Sequence, residues 1–224
     1  MLWTEFTQLS GAILLIVGAL LPVVNPPGCA PIFLRMTAGC DEATRASLAR
    51  HIALNSFFLL LGSMLFGSFV LRLFELSVAV VQVAGGAIVC ALGWRLLNDD
   101  PKTDHIPVDP QQASLAALAQ SFYPLTLPLT VDPGAMSVAV TIGANHANSF
   151  ERVMIQLLAA IIGVGIVALA ILMTYRYAER FARWVGHNGM MVVLRLSAFI
   201  VLAIGVQITW NGIKVLLKEV GIPG

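Results

Sequence analysis

Proline inside apolar sequence is what most restricts this chain. The stretch Leu21-Pro22-Val23-Val24-Asn25-Pro26-Pro27-Gly28-Cys29-Ala30-Pro31 sits within an apolar run of about residues 8–34. Each proline removes a backbone donor and crowds the turn before it, so this composition predicts a helix broken within the run. The pattern returns as Leu127-Pro128-Leu129-Thr130-Val131-Asp132-Pro133-Gly134-Ala135-Met136-Ser137. One constant offset, without a gap, brings Leu21, Pro22, Pro27 and Gly28 onto Leu127, Pro128, Pro133 and Gly134. Two broken helices at equivalent points of an internal repeat are expected.

Composition says where the breaks lie. Of the 224 residues 58% are hydrophobic and 11% charged, against about 25% charged in average domains. That is the profile of a polytopic membrane protein in contact with a lipid bilayer. After the first run, spans are expected at about residues 52–70, 76–97, 113–147, 154–174 and 192–217. The segment 113–147 is too long for one straight crossing at about 1.5 Å per residue, and Pro124, Pro128 and Pro133 interrupt it. Only Arg72 to Glu75 separate the second and third spans, which predicts a tight antiparallel hairpin. The predicted fold is all-α, with six transmembrane helices as a three-plus-three inverted repeat and broken first and fourth spans. Residues 1–98 form the first repeat, 99–112 a polar linker and 113–224 the second repeat. An odd number of spans per half inverts the second copy, an arrangement common in secondary transporters.

Basic residues set the orientation. With the N-terminus outside, Arg35, Arg45, Arg50, Arg95, Lys102, Arg176, Arg180, Arg183 and Arg195 face inward. Arg72, Arg152, Lys214 and Lys218 face outward, so the inward side holds the excess and both termini are expected outside. No Lys or Arg precedes Arg35, so the first run reads as a retained span rather than a cleaved signal. A net charge of +1 excludes nucleic acid as a partner. Cys29, Cys40 and Cys90 have no metal-binding spacing and read as small buried residues.

The breaks carry the chemistry. Asn25 before Pro26, and Asp132 before Pro133, read as N-caps with proline at the first helical position. A helix N-terminus in mid-membrane offers N–H groups and partial positive charge to a carboxylate. Gly28 and Gly134 would let a ligand approach the backbone, Pro27 is a further candidate binding residue, and Thr126, Thr130 and Ser137 are candidate polar contacts. Asp132 is the acid well inside an apolar segment. It is a candidate for proton coupling, a role it can combine with capping. The plainer alternative is that the prolines only kink packed spans.

Other polar groups read as structural. His51, Asn55 and Gly62 share one face of the second span, and Gln82, Ser197, Gln207 and Asn211 suit interhelical hydrogen bonds. Gly85, Gly86, Gly93, Gly163 and Gly165 suit close helix packing. Asp99, Asp100, Asp104, His105 and Asp109 read as a solvated linker, and His146 and His187 lie near span ends. No nucleophile elbow, zinc-binding helix or phosphate loop is present, so neither an enzyme, a metal nor a cofactor is expected.

Several stretches resemble the MarC family of bacterial inner-membrane proteins. They are LPVVNPPGCAPIFL at the first break, VAGGAIVCALGWRLL (83–97), FYPLTLPLTVDPGAM (122–136) and VGHNGMMVVLRLSAFIVLAIGVQITWNGI (185–213). The resemblance implies a six-span protein of the bacterial inner membrane, whose outside termini would be periplasmic. It also implies transport of small neutral amino acids such as alanine and glycine, described for some members. Asp132 departs from the small residue common there. The expectation is a secondary transporter, exporter or exchanger, holding the substrate carboxylate at Asn25–Gly28 and Asp132–Gly134. A non-transporting scaffold or regulator, and efflux of other small solutes, are the alternatives. Assembly as a homo-oligomer is left open.

Overall fold

The computed structural model of the chain describes residues 2–98, 118–144, 150–219 and 221. The polar linker 99–112, the start of the fourth segment and His146 lie outside the described residues, as does the side chain of His187. Helix α1 (Leu2–Val24) and helix α2 (Pro26–Met36) flank Asn25, and α3 (Glu42–Leu73) and α4 (Val78–Asn98) complete the first half. A proline segment (Ser121–Thr130) leads into α5 (Pro133–Gly143). The stretch Phe150–Glu219 is helical but breaks at Gly186, whose φ of 76° is accessible to glycine without strain. The part before Gly186 is α6 and the part after it α7. All of these elements are helical, with no strand among the described residues.

By length and composition, five described helices can cross a membrane: Thr7–Val24, Glu42–Leu73, Val78–Asn98, Val153–Arg183 and Met191–Lys218. The proline segment and α5, bent by 71° at their break, make a sixth if they are one broken span. Helix α3 starts well before its apolar run. Asp41 caps it, its side chain accepting the Thr44 N–H at 3.0 Å, and the helix-forming residues Glu42, Ala43, Arg45 and Ala46 follow. The bonds from Thr44 hold the Asp41 carboxyl below the ordinary carboxylate value.

The expected α3–α4 hairpin does not pack as one. A tight turn through Phe74 and Glu75 joins the two helices, but α4 lies chiefly on α7. The reason is its glycines. A Cβ at Gly93 would lie 2.6 Å from the Leu202 backbone nitrogen, and one at Gly86 would lie 2.6 Å from that of Thr209. Small residues let backbones approach where lipid supplies no hydrophobic drive. A Cβ at Gly163 would lie 2.8 Å from the Ile16 side chain of α1, whereas one at Gly165 would meet only Phe57, at 4.0 Å. Gln207 and Asn211 bond each other along α7 rather than another helix.

The core is a cluster in which Leu20, Ile32, Phe33, Leu48, Ile52, Leu60, Val131, Val164 and Ile171 are buried. Phe58, Phe66, Phe69, Trp94, Leu158 and Phe199 point outward, an apolar surface a soluble protein would not expose but a bilayer accommodates. Around the breaks, Val24, Pro26, Cys29 and Val131 are buried, while Asn25 itself is half-buried.

Candidate functional site

Proline chemistry builds the second break. Pro124 and Pro128 force the residues before them into extended backbone. Tyr123 has φ −124°, ψ 125° and Leu127 has φ −114°, ψ 125°, and both following peptide bonds are cis. The prolines remove two donors from the helical ladder there, and threonine hydroxyls bond carbonyls of the segment. Thr126 Oγ1 donates to the Ser121 carbonyl at 2.7 Å, and Thr130 Oγ1 to the Leu125 carbonyl at 2.7 Å. Asp132 then caps α5, accepting the Ala135 N–H at 2.6 Å from an ordinary extended conformation.

The first break is built differently. Pro22 and Pro31 are absorbed within α1 and α2, so the interruption falls at Asn25 alone. Asn25 is left-handed, φ 44° and ψ 59°, a conformation asparagine tolerates better than most residues. Its Oδ1 accepts the Gly28 N–H at 3.3 Å, while its carbonyl accepts from Gly28 at 3.0 Å and Cys29 at 3.2 Å.

These bonds revise the expected anion cradle. Pro26 and Pro27 have no N–H, and the next two donors of α2 are taken by Asn25. At α5, Pro133 has none, and the carboxylate of Asp132 already occupies the helix end. The end of α2 keeps its dipole with a neutral cap, whereas an acid balances the end of α5. The two ends are electrostatically complementary rather than alike.

Both caps line one cavity of about 20 Å³, together with Cys29, Val89, Leu129, Thr130, Val201 and Ile204 among others. Such a space is close to the minimum for one water. Any larger solute requires the ends of α2 and α5 to separate. Cys29 now ties α2 to the proline segment that leads into α5, its Sγ donating to the Leu129 carbonyl at 3.3 Å.

Of the expected contacts, Asn25, Thr130 and Asp132 meet at this cavity. The others do not line it. Pro27 is exposed, and Thr126 is buried with its bonds to Ser121 and Asn55. Ser137 returns its hydroxyl to the Pro133 carbonyl at 2.8 Å. A side chain at Gly28 would strike Asn25, and one at Gly134 would strike Ile208, so their smallness serves the cap and helix packing. Of the other expected polar residues, Asn55 reaches Thr126 at 3.4 Å, while His51 is exposed beside the Ser47 carbonyl. Sequence reasoning missed Cys29, one turn past the Asn25 cap, and Tyr175. The Tyr175 hydroxyl bonds Thr130 Oγ1 at 2.8 Å, and its ring stacks on Phe33 at 4.6 Å. Tyr175 directly before Arg176 was the available signal, an amphipathic side chain where an apolar helix turns basic.

Apolar helices of spanning length around a buried pair of helix breaks define a multi-pass integral membrane protein. Residues 10–217 match the MarC family integral membrane protein description, and the chain belongs to that family. It is similar to UPF0056 membrane protein YvbG of Bacillus subtilis (strain 168), 29% identical over 88% of this chain and 91% of the relative. UPF0056 inner membrane protein MarC of Salmonella typhimurium is 27% identical over 89% of this chain and 92% of its own. UPF0056 membrane protein YhcE of Escherichia coli K12 is 27% identical over 87% and 88%. No solved structure matches.

Proposed function

We propose that this protein is a secondary transporter, an exporter or exchanger, of small neutral amino acids such as alanine or glycine. One observation carries the reading: the caps of two helices that begin inside the protein, Asn25 and Asp132, line the same cavity. A zwitterion fits their complementarity, its carboxylate toward the neutral-capped end of α2 and its ammonium toward Asp132. Val89, Val201 and Ile204 would limit the side chain. In this reading the halves form an inverted repeat, the termini are periplasmic and the membrane is the bacterial inner membrane. The protein works without an enzymatic step or cofactor, with lipid and solute as its partners.

The test is exchange of radiolabelled alanine into proteoliposomes. Flux above empty liposomes is expected, and none across a panel of small amino acids under a pH gradient overturns the proposal. Asp132→Asn keeps a capping oxygen and removes the charge. If Asp132 couples proton movement, this variant folds, exchanges alanine more weakly for want of the ammonium's counter-charge, and its residual exchange loses the response to the pH gradient.

One observation favours a second reading. The hydroxyls of Thr126, Thr130 and Ser137 are spent within the protein, as a non-transporting scaffold would have them. A scaffold predicts that Gly28→Leu and Gly134→Leu disturb partner capture and leave every solute distribution unchanged.

A further inference from the structure

A second polar space lies beyond Tyr175. It has a volume of about 120 Å³ and is lined by Glu42, Arg45, Arg176, Glu179 and Arg180, with Tyr175 as one wall. Pockets for drug-sized ligands run to about 300–1,000 Å³, so this one suits a solute of few atoms. It offers both signs of charge. Arg45 is committed: its guanidinium meets Glu179 at 2.6 Å and the Cys40 carbonyl at 2.6 Å. Arg180 lies 5.2 Å over the Tyr177 ring. Arg176 and Glu42 are exposed and have no ion-pair partner among the described residues.

Only a thin wall divides this vestibule from the central cavity. Tyr175 lines the vestibule, Thr130 lines the cavity, and a 2.8 Å hydrogen bond joins the two. The Tyr175 ring lies flat on Phe33, with 7° between the planes, so moving it releases both contacts. Arg45 holds the wall from the vestibule side. It ties the loop after α2, through the Thr37 and Cys40 carbonyls, to Glu179 on the same helix as Tyr175.

We infer that the vestibule is an access site for a zwitterionic solute, with Arg176 for the carboxylate and Glu42 for the ammonium, and that Tyr175 is the door to the central cavity. The Arg45–Glu179 pair latches that door. The inference rests on the transport reading of the central cavity, but the door itself can be tested without measuring transport.

Cys29 lines the cavity behind the door and serves as the probe. With Cys40 and Cys90 replaced by Ala, the full chain in inside-out membrane vesicles is treated with a charged, water-soluble methanethiosulfonate. Cys29 should label slowly. Tyr175→Ala should raise the rate about tenfold, as losing one interaction of about 1.4 kcal/mol would. Tyr175→Phe keeps the stack, loses the hydroxyl's contacts with Thr130 and Cys29 and should give a smaller rise. Glu179→Gln should also speed labelling, and the swap of Arg45→Glu with Glu179→Arg should slow it again. Unchanged labelling in Tyr175→Ala and Tyr175→Phe, both monodisperse in detergent, overturns the door. Equal acceleration from the opposite membrane face overturns it as well. Alanine should slow labelling of the Tyr175→Phe variant where acetate or methylammonium alone does not, and Arg176→Ala should abolish that protection. Acceleration without alanine protection overturns the zwitterion assignment and leaves the door standing. Acceleration without alanine flux counts against the transport reading instead.

Discussion

The two proline breaks solve one problem by different means. At the first, α1 is long enough to cross a membrane by itself, and the chain turns at a single left-handed residue, Asn25. At the second, neither flanking segment is long enough alone, and the chain bends 71° after ten residues of proline-interrupted helix. The first break is closed by backbone bonds to Asn25 and a long cap bond of 3.3 Å. The second needs the Thr126 and Thr130 hydroxyls and a short cap bond of 2.6 Å accepted by an acid. The second break depends more on its side chains, and the first on backbone conformation. Function built on the pair should therefore be more sensitive at the second.

The largest separation is expected at the glycines beside the breaks. A Cβ at Gly85 of α4 would strike the Pro133 ring, with the Pro133 Cα 3.2 Å away, whereas one at Gly28 meets only the Asn25 side chain. Gly85→Leu should cost about 1–3 kcal/mol or more by overpacking, and Gly28→Leu less, read as thermal unfolding in detergent. Equal losses would erase the contrast.

Next come the caps. Asp132→Ala should cost about 1–2 kcal/mol. Asn25→Gly, which supplies left-handed freedom while losing a weak bond, should change stability by only about a few tenths. An Asn25→Gly loss as large as that of Asp132→Ala would make the breaks equivalent.

A smaller effect is expected from Thr130→Val, which removes the hydroxyl's bonds to Tyr175 and to the Leu125 carbonyl. In membranes such bonds contribute about 0.6–1.7 kcal/mol. A lowered unfolding temperature with intact helical circular dichroism is the expected result, and no change would mean another group replaces the hydroxyl. The smallest is Cys29→Ser, across the bridge between the breaks. It exchanges a weak donor to the Leu129 carbonyl for a stronger one and should alter stability by less than about 1 kcal/mol. A larger loss would show that the sulfur's packing, not its hydrogen bond, joins the two ends.

Much of this was legible in the chain itself. Apolar length fixed the spans, and Asn25-Pro26 and Asp132-Pro133 fixed both caps, because capping depends on residues one to three positions away. Gly85, Gly86 and Gly93 announced close packing but not their partner. The turn after α3 suggested that α3 was that partner, and only the packed fold shows α7 against Gly86 and Gly93 and Pro133 of α5 against Gly85. The site was legible in the same partial way. Asn25, Thr130 and Asp132 were identified, while Pro27, Gly28, Thr126, Gly134 and Ser137 carry the same local signals without lining the cavity.

What the sequence by itself determined is therefore local: where helices run, where prolines stop them and which residues cap the new ends. Hydrogen bonds within five residues and the reach of an apolar run suffice for that. What only the tertiary structure decided is which of those groups face one another. Tyr175 meets Thr130, and Cys29 meets Leu129, across separations in sequence that no local rule measures. The same folding brought the two breaks to one cavity and showed that their donors are already engaged, leaving one neutral and one acidic helix end face to face.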